Sequence, residues 1–286
     1  MSRWFDLVRW YIRVSPLESR KRALGRFVSR RLSAGGLCVC DGIGGDARME
    51  LDLGLEYERA IYLNLVDRMT IRVLRRVLRK GDVFVDGGAN VGLFTVVASG
   101  LVGESGSVYA FEPQPDITAR LRRNVGLNHP ARVRVVEKGL WDAAGTMEMR
   151  RVAGHGSCRA TLGDTGVLPV GDRFDVETVR LDDLVRDPVR LIKMDVEGAD
   201  LPAIRGAQRI LEATPTPHLI LEVNDSAARS FGYGAIELID WLRKRHAYEL
   251  YLLERNRIRR VTRESIARWI VENPHDYTDL WCRPLG

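Results

Sequence analysis

The chain is 286 residues long, with 45% hydrophobic and 29% charged side chains, which allows one large domain or two small ones. Mean hydropathy is −0.16 and no apolar run approaches the roughly 18 residues of a membrane span, so disordered, collagen-like and integral membrane classes are excluded. The net charge of +6 is uneven: residues 1 to 31 carry nine basic side chains against Asp6 and Glu18, a local +7, and the rest of the chain sums to −1. A basic leader on a neutral body argues against a nucleic-acid groove in the main fold.

Four cysteines, Cys38, Cys40, Cys158 and Cys282, are too few for a disulfide scaffold. The Cys38/Cys40 spacing suits neither a zinc knuckle nor a redox pair. Reduced thiols and a cytoplasmic protein are expected.

The leader, residues 1–35, reads as two helices. In the first, Trp4, Leu7, Val8, Tyr11 and Val14 recur at helical spacing opposite Asp6, Arg9 and Arg13, an apolar face backed by a mostly cationic one. Ser15-Pro16-Leu17-Glu18 supplies a capping box and a proline at the first helical position of the second helix. Its stripe is Leu17, Leu24, Phe27, Val28 and Leu32, and Gly35-Gly36 ends it. Charges interrupt the apolar region, so a signal peptide is not expected. Residues 36–66 form a hairpin and lead-in, with strands over 37–53 turning at Gly42 to Gly45.

From residue 67 onward a third unit begins. A helix over 67–79 is followed by short β-rich runs at 82–86, 107–112, 133–137, 191–195 and 218–224. Helices at 93–102, 116–127, 199–212 and 235–246 alternate with them, which indicates an α/β fold, a parallel sheet covered on both faces. Strands at about 248–253 and 277–283 close it, the last as an antiparallel partner. An insertion at about 143–184 holds two strand-like runs, Thr146 to Val152 and Phe174 to Leu181.

The run from Val83 to Gly92 is a buried strand ending in a glycine-rich turn into a helix, a place where backbone approaches a ligand closely. Asp86 ends that strand and suits a cationic ligand better than a pyrophosphate. Glu112 ends the next strand, placed to accept both hydroxyls of a ribose. At the carboxyl end of the fourth strand, alternation puts Lys193 and Asp195 on one face. Glu222 and Asn224 end the fifth strand at the same rim.

Together, DGGANVG (Asp86 to Gly92), FEP (Phe111 to Pro113), GLWD (Gly139 to Asp142), VRLDDL (Val179 to Leu184) and IKMDVEGAD (Ile192 to Asp200) resemble the FkbM family of S-adenosylmethionine-dependent methyltransferases. The resemblance implies a Rossmann-like, seven-stranded class I methyltransferase fold. It also implies S-adenosyl-L-methionine as donor and O-methylation of a hydroxyl on a sugar, glycan or glycolipid, or polyketide-type natural product. Asp86, Gly88, Asn90 and Gly92 match the motif that cradles the methionine part of the donor, and Glu112 matches the ribose-binding acid. Leu140 and Trp141 would meet the adenine.

Asp195 is the leading candidate to bind the donor and to orient or deprotonate the acceptor. His155, between Gly154 and Gly156 in the insertion, Glu222, Lys193 and Glu197 complete the catalytic candidates. No metal is expected. The implied partner is a small-molecule or glycan acceptor, without nucleic acid. The leader suggests a peripheral contact with the inner membrane surface, a homodimer through residues 1–32, or plain packing of Leu24, Phe27 and Val28 on the catalytic domain. Two other readings remain: an NAD-dependent oxidoreductase, which shares the strand, turn and distal acid, and a non-catalytic membrane-surface adaptor. Calorimetry with S-adenosylmethionine and with NAD separates the three.

Overall fold

The computed structural model describes residues 3–14, 18–32, 35–128, 132–152, 160–162, 170–254 and 256–285. Two helices open it, α1 (Arg3–Val14) and α2 (Glu18–Leu32). The Ser15 to Leu17 capping signal lies outside the described residues. Val8 and Ile12 of α1 and Val28 and Leu32 of α2 are buried in one cluster with the hairpin β1 (Leu37–Ile43) and β2 (Ala47–Asp52). The leader therefore packs on the body through part of its apolar surface. The lead-in contains a helix that short-range pattern did not reveal, α3 (Glu56–Tyr62), before α4 (Arg68–Val77). α4 buries Met69, Thr70, Val73, Leu74 and Val77, the stripe that helical periodicity demands.

The remainder builds the main sheet. In chain order come β3 (Val83–Gly87), α5 (Leu93–Val102), β4 (Ser107–Phe111), α6 (Pro115–Gly126) and β5 (Arg132–Val136). Then follow β6 (Gly139–Leu140), β7 (Gly145–Val152), β8 (Ala160–Thr161), β9 (Val170–Val179), α7 (Leu181–Leu184) and β10 (Leu191–Met194). Next are α8 (Asp200–Arg205), α9 (Gln208–Leu211), β11 (His218–Val223), α10 (Asp225–Arg229) and α11 (Ala235–Arg245). The chain closes with β12 (Tyr248–Glu254), β13 (Arg257–Val261), α12 (Arg263–Glu272) and β14 (Thr278–Pro284).

Spatial order in the eight-stranded sheet is β5-β4-β3-β10-β11-β14-β12-β13. The first five strands of that order are mutually parallel, and β14 runs antiparallel between β11 and β12. Seven strands match the expectation, and β13 adds an eighth by a hairpin from β12. Strand alternation sends Phe84, Leu191, Ile220 and Trp281 to the face that also covers the leader and hairpin. Val85, Ile192, Leu219, Leu221 and Leu280 point to the other face, under α8, α11 and α12.

The insertion forms its own sheet, β6-β9-β7-β8, wider than the two runs expected. The helix expected over 199–212 is two, α8 and α9, broken at Gly206. A Cβ there would stand 2.1 Å from the Trp141 carbonyl oxygen, so the chain bends where GLWD presses on it. The break frees the first N–H groups of α9, and Asp182 of VRLDDL accepts them from Arg209 (2.8 Å) and Ile210 (3.1 Å).

Candidate functional site

The strands β3, β4, β10 and β11 all end on one edge of the main sheet. After β3 the turn is closed by Gly88 and Ala89 N–H donating to the Phe111 carbonyl at 3.0 and 2.9 Å. Gly88 has φ +72°, and a Cβ on it would lie 1.9 Å from the Asp195 carbonyl oxygen. Glycine is required there because the β3 and β10 loops touch. Asn90 takes φ 50° without being glycine, a left-handed conformation that asparagine tolerates better than most residues.

Glu112 ties this turn to the next. Its carboxylate accepts Asn90 N–H and Gln114 N–H, each at 3.0 Å, and only 4% of the residue is exposed. Burial pushes its carboxyl up to about 7 in spite of those donors. The contacts do not exhaust the lone pairs of a carboxylate, so hydroxyl donors of a ligand can still be accommodated.

A polar row crosses the sheet beside it. Lys193 of β10 pairs in register with Asp86 of β3, its ammonium 3.7 Å from Asp86 and 3.2 Å from Asp195. Asp86 has no exposed surface and accepts the Thr95 hydroxyl at 2.6 Å. Burial raises its carboxyl, with Lys193 opposing. For Lys193, burial alone would lower the ammonium, but Asp195 and then Asp86 outweigh it and the net shift is upward. One step further along, Asp195 follows the registered pair Met194–Leu221, and Glu222 pairs with Asp279 of β14. Asp195, Glu222 and Asp279 therefore stand side by side on three adjacent strands, an arrangement that repels when all are charged.

Burial and mutual repulsion raise several of the carboxyls here. Glu222 is raised well above the ordinary range by burial, then by Asp195 and Glu197, and its Oε2 has no hydrogen-bond partner. Asp279, receiving the Thr70 hydroxyl at 2.6 Å, is pushed up to about 7 by burial and by Asp67 and Asp195. Asp67, which accepts the Tyr57 hydroxyl at 3.0 Å, rises to about 6, chiefly from burial. Asp200 is likewise buried and raised.

Below Asp195 the DVEGAD turn is held from two sides. Glu197 has φ 53°, and its carbonyl accepts the Thr161 hydroxyl of β8 at 3.2 Å. The buried Tyr233 hydroxyl donates to the Gly198 carbonyl and accepts Leu201 N–H at 3.1 Å.

The structure thus brings Asp86, Gly88, Asn90, Glu112, Lys193, Asp195, Glu197 and Glu222 to one edge. Asp86 reaches no solvent and braces Lys193 and Thr95 from below. Leu140 is buried near Gly87, whose added Cβ would meet it at 2.9 Å. The Trp141 ring packs at 5.7 Å from Phe231. Gly92 caps α5 in a left-handed conformation. Asn224 caps α10 by accepting Ala227 N–H at 3.1 Å. His155 lies outside the described residues.

Sequence reasoning missed Tyr57, Asp67, Thr70, Asp200 and Asp279 at the site. The register of β14 against β11 and the docking of the lead-in bring Tyr57, Asp67, Thr70 and Asp279 there, whereas Asp200 starts α8 at the end of the IKMDVEGAD run. Among the described residues no group of three histidine, cysteine, aspartate or glutamate side chains is arranged to hold a metal ion.

A parallel sheet in this strand order, closed by an antiparallel strand and carrying its acidic site at the carboxyl ends, defines a class I methyltransferase fold. The Methyltransferase FkbM domain matches residues 86–250, and the chain belongs to that family. Among its relatives, the hexuronic acid methyltransferase AglP of Haloferax volcanii is 27% identical, over 50% of this chain and 57% of its own length. The 31-O-demethyl-FK506 methyltransferase FkbM of Streptomyces tacrolimicus is 30% identical, over 46% of this chain and 61% of its own. The chain spans about three-fifths of the length of the curated relatives it matches. A crystal structure of methyltransferase FkbM from Methylobacillus flagellatus KT is 19% identical. It aligns over 91% of this chain and 59% of that one, with a TM-score of 0.44.

Proposed function

We propose that the protein is an S-adenosylmethionine-dependent O-methyltransferase acting on a hydroxyl of a sugar, a glycan or glycolipid, or a polyketide-type product. The observation that carries this reading is the pairing of Glu112, bound to the glycine turn, with the Asp195–Glu222–Asp279 row on the neighbouring strands. Relatives named for a hexuronic acid and for a demethylated FK506 support a hydroxyl acceptor.

The residues fit such a donor: Glu112 retains acceptor capacity for ribose hydroxyls, and the negative edge suits a sulfonium. When bound, the donor supplies an electrophilic methyl group. Glu112 and the Gly88 to Gly92 turn hold it, and the rigid ends of β10 and β11 fix the acceptor oxygen in line with it. Asp195, 38% exposed at its side chain and steadied by Lys193, receives the hydroxyl proton as the oxygen attacks. Glu222, whose carboxyl is raised by burial and the neighbouring carboxylates, stands beside Asp195 as a hydrogen-bonding partner for the acceptor. Alignment supplies most of the rate and proton removal about 10²–10⁴ of it.

Calorimetry with S-adenosylmethionine and with NAD is the first test, and binding of NAD alone would sink the proposal. Incubating the enzyme and a trideuteromethyl donor with extract of cells lacking the gene should then label a hydroxylated product. Asp195→Asn should lower the labelling rate by about 10²–10⁴ while the protein still binds the donor through Glu112. Full turnover in that variant with loss in His155→Ala would move the base to the insertion.

The leader is read as a peripheral membrane contact. Trp4, Leu7 and Trp10 remain 44%, 66% and 61% exposed on α1 although Val8 and Ile12 of the same helix are seated. Aromatic and aliphatic side chains beside a +7 segment match an interfacial helix on an anionic bilayer. A symmetric dimer through this face would set like charge against like charge. Among the described residues no helix is long and apolar enough to cross a membrane. Leu7→Glu/Trp10→Glu should abolish sedimentation with phosphatidylglycerol vesicles. A dimer lost in that variant, with no vesicle binding in the wild type, would replace the membrane by a second copy.

A further inference from the structure

A second concave surface lies away from the acidic edge. A cavity of about 560 Å³ opens at the opposite, amino-terminal end of the parallel strands. Arg190 enters it from the start of β10, Arg76 from the end of α4, and Arg283 from the end of β14. Thr214 and Thr216 come from the loop before β11, and none of the described residues lining it is acidic.

None of the three has a carboxylate partner among the described residues lining the cavity. Arg76 stacks over the Trp281 ring at 5.7 Å. Arg283 reaches only Glu249, at 3.9 Å. Arg190 engages the sheet through its backbone, donating to Val83 and accepting from His218. Three like charges converge on a concave surface whose described lining holds no acidic residue, and a guanidinium is the side chain best matched to phosphate oxygens.

His218 supports the same polarity. Its Nδ1 accepts the Trp281 indole N–H at 3.2 Å, so the neutral ring carries its proton on Nε2 as a donor. Burial first, and then the fields of Arg190 and Arg283, lower it to about 4. The lining thus offers three guanidiniums, one imidazole N–H and the Thr214 hydroxyl as donors beside apolar Val77, Trp281 and Leu285, while the Thr216 hydroxyl donates to the Ala213 carbonyl at 3.4 Å.

We propose that this cavity is a binding site for a phosphate-bearing ligand, separate from the methyl-transfer edge and gripped by Arg76, Arg190 and Arg283. A free phosphorylated metabolite and a lipid phosphate share that chemistry. The site's place at the far end of β10 and β11 leaves it accessible while donor and acceptor are bound.

Titration of the full-length protein with sodium pyrophosphate, followed by calorimetry and by melting temperature at constant ionic strength, tests the site. Saturable binding that weakens with added salt is expected, with at least tenfold loss in Arg76→Ala and again in Arg190→Ala. Binding of S-adenosylmethionine should be unchanged in both. Arg283→Ala, at an exposed position, serves as the third variant should Arg190→Ala fail to fold.

Phosphatidylglycerol vesicles form the second arm. Vesicle binding that pyrophosphate displaces and that Arg76→Ala weakens supports the site and assigns its ligand to lipid. Pyrophosphate binding without vesicle competition supports it and assigns a free metabolite. No saturable response to either probe, or an equal response from sodium sulfate at matched ionic strength in wild type and variants, overturns it.

Discussion

Glu112 stands between two loops and a ligand, and its ionisation links them. Its carboxyl is raised from the ordinary value of 4.5 to about 7 by burial, so between those values the folded chain keeps a proton that the unfolded chain loses. Stability attributable to this group therefore falls as pH rises through that window, by an amount on the order of 3 kcal/mol. Asp67 and Asp279, at about 6 and about 7, act in the same direction. Melting temperature without ligand should drop between pH 5 and about 8, less steeply in Glu112→Gln. Ribose hydroxyls donate to the ionised form, so donor affinity should rise over the same interval and binding should release a proton. Calorimetry in buffers of different ionisation enthalpy reads that proton. A pH-independent affinity would detach Glu112 from the donor. Glu112→Ala loses more than ligand contacts, because Asn90 and Gln114 N–H groups are left buried, each costing about 1–3 kcal/mol.

At the scale of elements, Asp182 is the clearest case of a motif residue whose work is structural. Both its oxygens cap α9, and the Arg209 side chain returns to the carbonyls of Asp182 and Val185. Asp182→Ala should cost about 0.5–2 kcal/mol in urea denaturation while Asp182→Asn recovers part of it. An unchanged midpoint in the alanine variant would show the cap to be dispensable. This contact could not be read from the sequence, since capping partners are expected within three residues and here they lie twenty-seven and twenty-eight away. The break at Gly206 was hidden for a related reason: Leu201, Ile204, Ile210 and Leu211 keep an apolar spacing that runs through it. By contrast, β3, β4, β10, β11 and β14 were legible because strands buried on both faces read as short apolar runs between turn residues. Their carboxyl-end acids followed from the same reading. Asp279 did not, although its strand was expected, because its place beside Glu222 depends on which strand β14 joins. α3 offers only seven residues, too few turns for periodicity to speak.

For the whole molecule, the question is whether the hairpin and lead-in are an appendage or part of one cooperative body, and the polar contacts favour the second. Glu58 of α3 is fully buried. Its carboxylate takes both terminal nitrogens of Arg120 on α6 at 2.6 Å, and Asp52 N–H as well. Asn124, one turn further along α6, accepts Glu50 N–H at 2.6 Å and donates to Val91 at 2.8 Å. It thereby fastens the hairpin to the segment that starts α5, and α3 in turn presents Tyr57 to Asp67 at the site. Removing one partner of a buried, bidentate pair strands the other charge and costs about 3–5 kcal/mol. Glu58→Ala should therefore shift the whole urea transition, followed by circular dichroism and by tryptophan fluorescence, to lower concentration as a single step. Donor affinity per folded molecule should stay near that of the wild type, because Glu112 is held by Asn90 and Gln114 rather than by α3. Two separated transitions, with the early one confined to residues 36–66, would instead make the hairpin an independent unit and leave the acidic edge to fold without it.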